Sequence, residues 1–238
     1  MGDEGSDYHR HVVLPGTLRL LNPAAGERIL DVACGQGVLC RQIRERGALP
    51  TGVDAAPELI RAARERTGEG IEYHVGDARD LAFLPAETFA AASCVLAIQN
   101  IHPFQPVLTG IARALAAGGC AVLVMMHPAF RGPKYTSWGW EGNQVQYRRV
   151  ERYLVPRKDP IVTHPGKKTG DYTWSFHRPI GTYVKALRNA GLLVDALEEW
   201  PSHRKSEPGP RASAENRARA EIPMFLAIRA LKVAADDP

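Results

Sequence analysis

The chain has 238 residues, 45% of them hydrophobic and 24% charged, with a formal net charge of +4 at pH 7. That is enough for one well-buried domain with insertions and too little for two full ones. The longest apolar run, Cys120 to Met126, falls far short of the ~20 residues of a membrane helix, so no membrane span is expected, and so mild a charge does not by itself require a nucleic-acid partner. The acidic start MGDEGSDYHR has no apolar core, which argues against a secretory signal or transit peptide, and Met1 to Ser6 are expected to be disordered. From Tyr8 to Leu21 apolar residues recur at roughly helical spacing about Pro15, which starts or restarts a helix. Cys34, Cys40, Cys94 and Cys120 show no Cys-x-x-Cys spacing and lie in or beside core segments. They read as free thiols of a reducing environment, so a cytoplasmic protein is expected.

The stretch RILDVACGQGVLCRQI, Arg28 to Ile43, organises the rest of the chain. Ile29, Leu30, Val32 and Ala33 have the pattern of a buried strand end, and Leu39 to Ile43 that of a helix start. Between them Gly35 and Gly37 allow backbone conformations and a closeness of ligand approach that a Cβ would block. The free amides of the helix's first turn favour a carboxylate or phosphate in the same space. A dinucleotide turn would need Gly or Ala at position 40, where Cys40 stands, and the Asp31 carboxylate would repel a pyrophosphate. The pattern Asp31-x-x-x-Gly35-x-Gly37 therefore favours a zwitterionic ligand with an ammonium or sulfonium group. It resembles the first motif of the class I S-adenosylmethionine (SAM) methyltransferases. The resemblance implies that the helix from Tyr8 lies over the cofactor, with Tyr8 and His11 touching it; the alternative of equal weight is that the two only pack a surface helix.

Thr51 to Val53 form a short strand ending at Asp54, followed by Ala55 and a helix with Pro57 at its start. An acid at this strand tip, 17 positions after Gly37, is placed to accept both hydroxyls of a ribose; the competing reading is a cap on the next helix. A third strand, Ile71 to Val75, leads to Gly76-Asp77-Ala78. In the family it resembles, an acid here meets the adenine amino group and the next amide a ring nitrogen, which points to Asp77 and Ala78. A fourth strand runs from Ala91 to Val95, where the carbonyl of Cys94 or Val95 could accept from the cofactor's ammonium group; Gln99, Asn100 and His102 then face the substrate side. The family's usual acid after Phe89 is replaced by Ala90. A helix from Val107 to Ala116, a turn at Ala117-Gly118-Gly119 and a strand from Cys120 to Met126 complete five alternations of strand and helix. The expected fold class is α/β, a doubly wound, mostly parallel seven-stranded sheet of the Rossmann-like methyltransferase type, with ligands at the strands' carboxyl ends.

Residues 128–178 form an insertion after the fifth strand. Val145 to Leu154 and Asp171 to Arg178 alternate well enough to pair as two antiparallel strands. Between Arg131 and Arg178 there are ten Lys and Arg against four acids, and three of the chain's four tryptophans. Trp138, Trp140, Tyr147 and Trp174 suit a flat, anionic substrate or, equally, a homodimer interface, so the insertion reads as a lid or an interface. Leu192 to Trp200 and Pro223 to Val233 close the sheet as a hairpin, with a short helix near Ala212 to Ala220 between them, and Ala234 to Pro238 are expected to fray. One domain over 1–238 is expected, capped by residues 1–21.

The resemblance covers Arg28 to Leu123 and, more loosely, the closing hairpin. It implies SAM as cofactor, S-adenosylhomocysteine as product, and transfer of a methyl group to O, N or C of a small molecule of the quinone-precursor or natural-product kind. Alignment of two reactants supplies roughly 7–11 kcal/mol, against about 3–5 from a positioned base, so a base is optional. His127 is the first candidate for one and His102 the second. His9 and His11 are merely near neighbours and no zinc-type spacing occurs, so no metal is expected. Two rivals stand beside this reading. Nucleic-acid methylation is disfavoured, because Asn100-Ile101-His102-Pro103-Phe104 is not the N/D-P-P-Y/F motif of base methyltransferases. The other rival is a SAM-binding protein that does not methylate, acting as a cyclase scaffold or a regulator.

Overall fold

The computed structural model describes residues 6–142, 144–162 and 172–233. The expected disorder of 1–5 and fraying of 234–238 fall outside these residues, as do Lys167, Lys168 and Asp171 of the insertion's charge count.

The chain enters through a helix that contains one π-helical turn, His9–Val13, and continues as α1, Leu14–Leu21, with Pro15 in its first turn. It stops at Asn22, whose left-handed backbone (φ 46°) turns its N–H back to the Leu18 carbonyl. There follow β1 (Arg28–Val32), α2 (Val38–Glu45), β2 (Leu49–Asp54), α3 (Pro57–Arg66) and β3 (Glu72–Val75). Next come β4 (Phe89–Val95), a 3-10 turn at Ile98–Asn100, α4 (Gln105–Ala114) and β5 (Leu115–Met126). The expected alternation of strand and helix lapses once: β3 and β4 are joined by turns alone, through 76–88. Leu81 and Leu84 bury themselves in the core instead, and the Arg113 guanidinium of α4 donates to both their carbonyls, at 2.6 and 2.7 Å. One long side chain thereby satisfies backbone groups that a helix would have paired internally.

Seven strands form the sheet in the order β10-β11-β5-β4-β1-β2-β3, where β10 is Leu192–Trp200 and β11 is Phe225–Lys232. Only β11 opposes its neighbours, pairing antiparallel with both β5 and β10. This is the expected doubly wound, mostly parallel sheet with a hairpin ending. Residues of one strand alternate between its two faces. Leu30 and Val32 of β1 and Leu123 and Met125 of β5 meet α4 and α5 (Ile180–Asn189), which contribute Leu108, Ile111, Tyr183 and Leu187. Ile29, Val122 and Val124 face the other way, onto Leu14, Leu18 and Leu21 of α1 and Leu39 and Ile43 of α2.

The insertion departs from its expected pairing. β7 (Val145–Val150) pairs with β6 (Thr136–Glu141), and β9 (Tyr172–His177) with β8 (Arg157–Val162), so that two separate hairpins form. Alternation identifies a strand but carries no information about its partner, and in each case the nearer strand took it. The first hairpin packs on α6 (Ala212–Glu221), the second on the 3-10 turn after β4.

Candidate active site

A cleft of about 690 Å³ opens at the carboxyl ends of β1 to β4, within the ~300–1,000 Å³ usual for small-molecule sites. Of the expected cofactor residues, Asp31, Gly35, Asp54, Ala55, Asp77, Ala78 and Val95 line it. The chain leaves β1 and β4 sharply, through Ala33 (φ 59°) and Leu96 (φ 54°), left-handed positions that disfavour side chains and that both face the cleft.

The glycine loop divides its work between two residues. Gly35 has φ 56° and nothing within 4 Å of where a Cβ would stand, so a side chain there would intrude on the cleft. Gly37 has φ 73° and does not line the cleft; a Cβ at this position would lie 2.2 Å from the Tyr73 hydroxyl. The first glycine leaves room for a ligand and the second for the core. The Gly35 amide donates to Asp54 Oδ2 at 2.8 Å and the Ala56 amide to Oδ1 at 2.9 Å. Asp54 therefore holds the loop and the turn that leads to Ala56, the N-cap of α3, which itself has no side-chain cap, and each oxygen keeps a lone pair directed away from these amides.

Asp31 is 2% exposed and accepts from Ser93 Oγ at 2.8 Å and from the Cys40 thiol at 3.5 Å. Burial pushes its pKa up to about 7, against the two hydrogen bonds, and the neighbouring Asp54 adds to the rise. A buried acid beside an open cleft is matched to a cation. Asp77 is held by Arg79, whose Nε lies 3.0 Å from both carboxylate oxygens and whose Nη1 reaches the His102 carbonyl at 3.1 Å. This pairing lowers the Asp77 pKa and gives the carboxylate a partner that sequence spacing did not reveal.

The remaining expected cofactor residues lie elsewhere. Cys94 is fully buried in the core. Tyr8 packs on His203 and Phe225, and His11 on His203; His9 and Leu14 line the cleft in their place. The π-helical turn accounts for the change, because its wider turn brings residues five apart, such as 9 and 14, to one face.

On the acceptor side, Asn100 lines the cleft with Ala97 and Ile101, and its buried Oδ1 has no hydrogen-bond partner. Gln99 points away, into a small cavity with His127, Arg131 and Arg178. His127 is 1% exposed. The Ala129 amide donates to its Nδ1 at 3.2 Å, so its Nε2 carries the proton and donates to Glu199 at 2.7 Å. Burial lowers its pKa against the pull of Glu199. With both ring nitrogens taken by the protein, His127 is placed as a structural group rather than as a base. His102 stacks on Phe176, with centroids 4.9 Å apart, beside the cleft-lining Ile101 and outside the lining itself.

None of Trp138, Trp140, Tyr147 and Trp174 lines the cleft. Trp138 carries Arg131 and Arg148 at 5.2 and 5.0 Å, Trp140 carries Arg211 at 4.7 Å, Trp174 carries Lys158 at 3.9 Å, and Tyr147 covers Gly139. Arg178, which no motif marked, joins the insertion to the cleft. It is 6% exposed, donates to the carbonyls of Ile98 (3.3 Å) and Ile101 (2.6 Å), and stacks over Phe104.

Residues 29–119 match the family model described as a methyltransferase domain. A ubiquinone biosynthesis O-methyltransferase of Xanthomonas axonopodis pv. citri is 35% identical over 98 residues, 40% of this chain and 41% of that protein. A demethylmenaquinone methyltransferase of Tropheryma whipplei is 31% identical over 149 residues, 61% of this chain and 56% of that one. The chain thus spans between about two fifths and just over half the length of these curated relatives. A solved S-adenosylmethionine-dependent methyltransferase from Mesorhizobium loti superposes over 97% of this chain and 100% of its own, with a TM-score of 0.75 and 26% identity. The chain carries a methyltransferase domain at residues 29–119 and has the fold of the S-adenosylmethionine-dependent methyltransferases.

Proposed function

We propose that the protein transfers the methyl group of S-adenosylmethionine to a small, flat, anionic acceptor. The observation that carries the cofactor reading is the pair of carboxylates, Asp31 and Asp54, set on either side of the open Gly35 turn in one cleft. The cofactor, when bound, supplies a methyl group activated by a sulfonium. Asp54 holds the ribose hydroxyls through the lone pairs its amide partners leave free. Asp31 balances the ammonium group, and the unpartnered Asn100 Oδ1 accepts a further hydrogen bond. Asp77 and Ala78 line the far wall, where an adenine ring would lie.

The acceptor class rests on unbalanced charge outside the lining of the cleft, in and around the insertion. Arg131 and Arg148 flank Trp138, and Arg219 Nε is buried without a hydrogen-bond partner. Among the described residues none of the three has a carboxylate partner. Burial and the two neighbouring arginines bring Arg131 down to about 10, a strain that an anion would relieve. Both curated relatives are named for a quinone, ubiquinone in one and demethylmenaquinone in the other, which accords with a flat acceptor. The insertion is read as a lid rather than a dimer interface, because Arg178 ties it to the turn that carries Asn100.

The test is incubation with methyl-labelled SAM and a panel of phenols, aromatic carboxylates and quinone precursors, following label and S-adenosylhomocysteine together. Transfer to an anionic acceptor, weakened in Arg219→Ala through KM, is expected. Tight cofactor binding with SAM left intact across the panel would favour the non-methylating reading.

A further inference from the structure

Outside the cleft, the fold brings together three groups that lie far apart in sequence. Asp7 and His11 are one helical turn apart on the entering helix, and His203, 196 residues from Asp7, lies in the connection after β10. Their ligand atoms all lie within 4.8 Å of one another. His11 Nε2 is 3.6 Å from Asp7 Oδ1, and His203 Nε2 is 3.1 Å from Asp7 Oδ2. The two imidazoles thus meet opposite oxygens of one carboxylate; for metal–ligand bonds of ~2.0–2.1 Å the edge of a tetrahedron is about 3.4 Å, so ligand atoms spread over up to 4.8 Å draw together by a small side-chain rotation when an ion binds.

We propose that Asp7, His11 and His203 bind a divalent transition ion of the zinc class, with a fourth position left to water. Two imidazoles and one carboxylate suit a cation of intermediate softness, and disfavour magnesium or calcium, which take oxygen ligands alone. The surroundings supply the outer support that such sites use. Arg204 Nε donates to Asp7 Oδ2 at 2.8 Å and so orients the carboxylate while Oδ1 faces His11. The Tyr8 ring stands edge-on to His203 at 5.1 Å, and its hydroxyl bonds to Ser202 Oγ at 3.1 Å. His9, between the two helix ligands, lines the cofactor cleft, so the ion would fasten the helix that covers the cleft to the chain segment after β10. The site stands whether or not the protein methylates.

The experiment is calorimetric titration of the full, tag-free, chelator-treated protein with zinc chloride. One equivalent is expected to bind with a Kd of about 10 μM or tighter. His203→Ala and His11→Ala, both changes at exposed positions, should each weaken it by at least about tenfold while leaving the melting temperature of the metal-free protein unchanged. Absence of binding at about 100 μM zinc, or an affinity unaltered in either variant, would overturn the proposal.

Discussion

Replacing Asp31 by Asn isolates the electrostatic cost built into the cleft. The folded pKa of about 7 lies above the 3.8 of an ordinary aspartate, so between these values the folded chain holds a proton that the unfolded chain has released. Stability from this group therefore falls as pH rises from about 4 to about 7, by roughly 1.4 kcal/mol per pH unit, and levels off above 7. The whole penalty is about 4 kcal/mol. Asparagine still accepts from Ser93 and cannot ionise, so the variant lacks this slope. Urea unfolding of both proteins at pH 5, 6, 7 and 8 should show the variant's advantage growing by about 2 kcal/mol between pH 5 and 7 and flattening by pH 8. The same variant should lose affinity for SAM, whose ammonium group stabilises the ionised form of Asp31. Parallel pH curves for the two proteins would refute the placement of a buried, proton-holding carboxylate at the end of β1.

Three other outcomes follow from contacts already described. Gly37→Ala places a Cβ against the Tyr73 hydroxyl at a left-handed position and should cost about 2–4 kcal/mol, whereas Gly35→Ala should cost only ~1–2 but weaken cofactor binding at least about tenfold; thermal melting and calorimetry separate the two. Arg178→Met strips two carbonyls of a buried donor and should cost about 2–4 kcal/mol, read as a fall in melting temperature of roughly 5–15 °C. His127→Ala should cost about 1–3 kcal/mol while changing single-turnover methyl transfer by less than about threefold. A hundredfold loss of turnover with unchanged melting would make His127 the base after all.

The sheet, the glycine turn and the two strand-end acids were legible because each depends on local pattern: apolar runs, glycine spacing and an acid where a run stops. What was not legible depends on register or on distance. Tyr8 and His11 exchange places with His9 because one π-helical turn rotates the helix relative to an α-helical count. His127 has the residue type of a base, but its role is decided by Glu199, 72 residues away. Asp77 sits where expected, yet Arg79 two residues on occupies its carboxylate, which spacing alone does not show. The strands of the insertion were visible as alternation while their partners were not, and Arg178 looked like one more positive charge until its burial under the Ile98–Ile101 carbonyls was seen. The grouping of Asp7, His11 and His203 was invisible for the same reason, since His203 meets the entering helix only in the folded chain.

The central claim is that the cleft between Asp31 and Asp54 holds S-adenosylmethionine, and calorimetric titration with S-adenosylhomocysteine tests it most directly. One equivalent should bind the native chain, and Asp54→Ala, which removes the carboxylate that faces the cleft and braces the Gly35 turn, should weaken binding by at least about a hundredfold, through loss of charge-assisted hydrogen bonds. No heat with the native chain, or equal affinity in the variant, would contradict the assignment of the cleft and of the residues that line it.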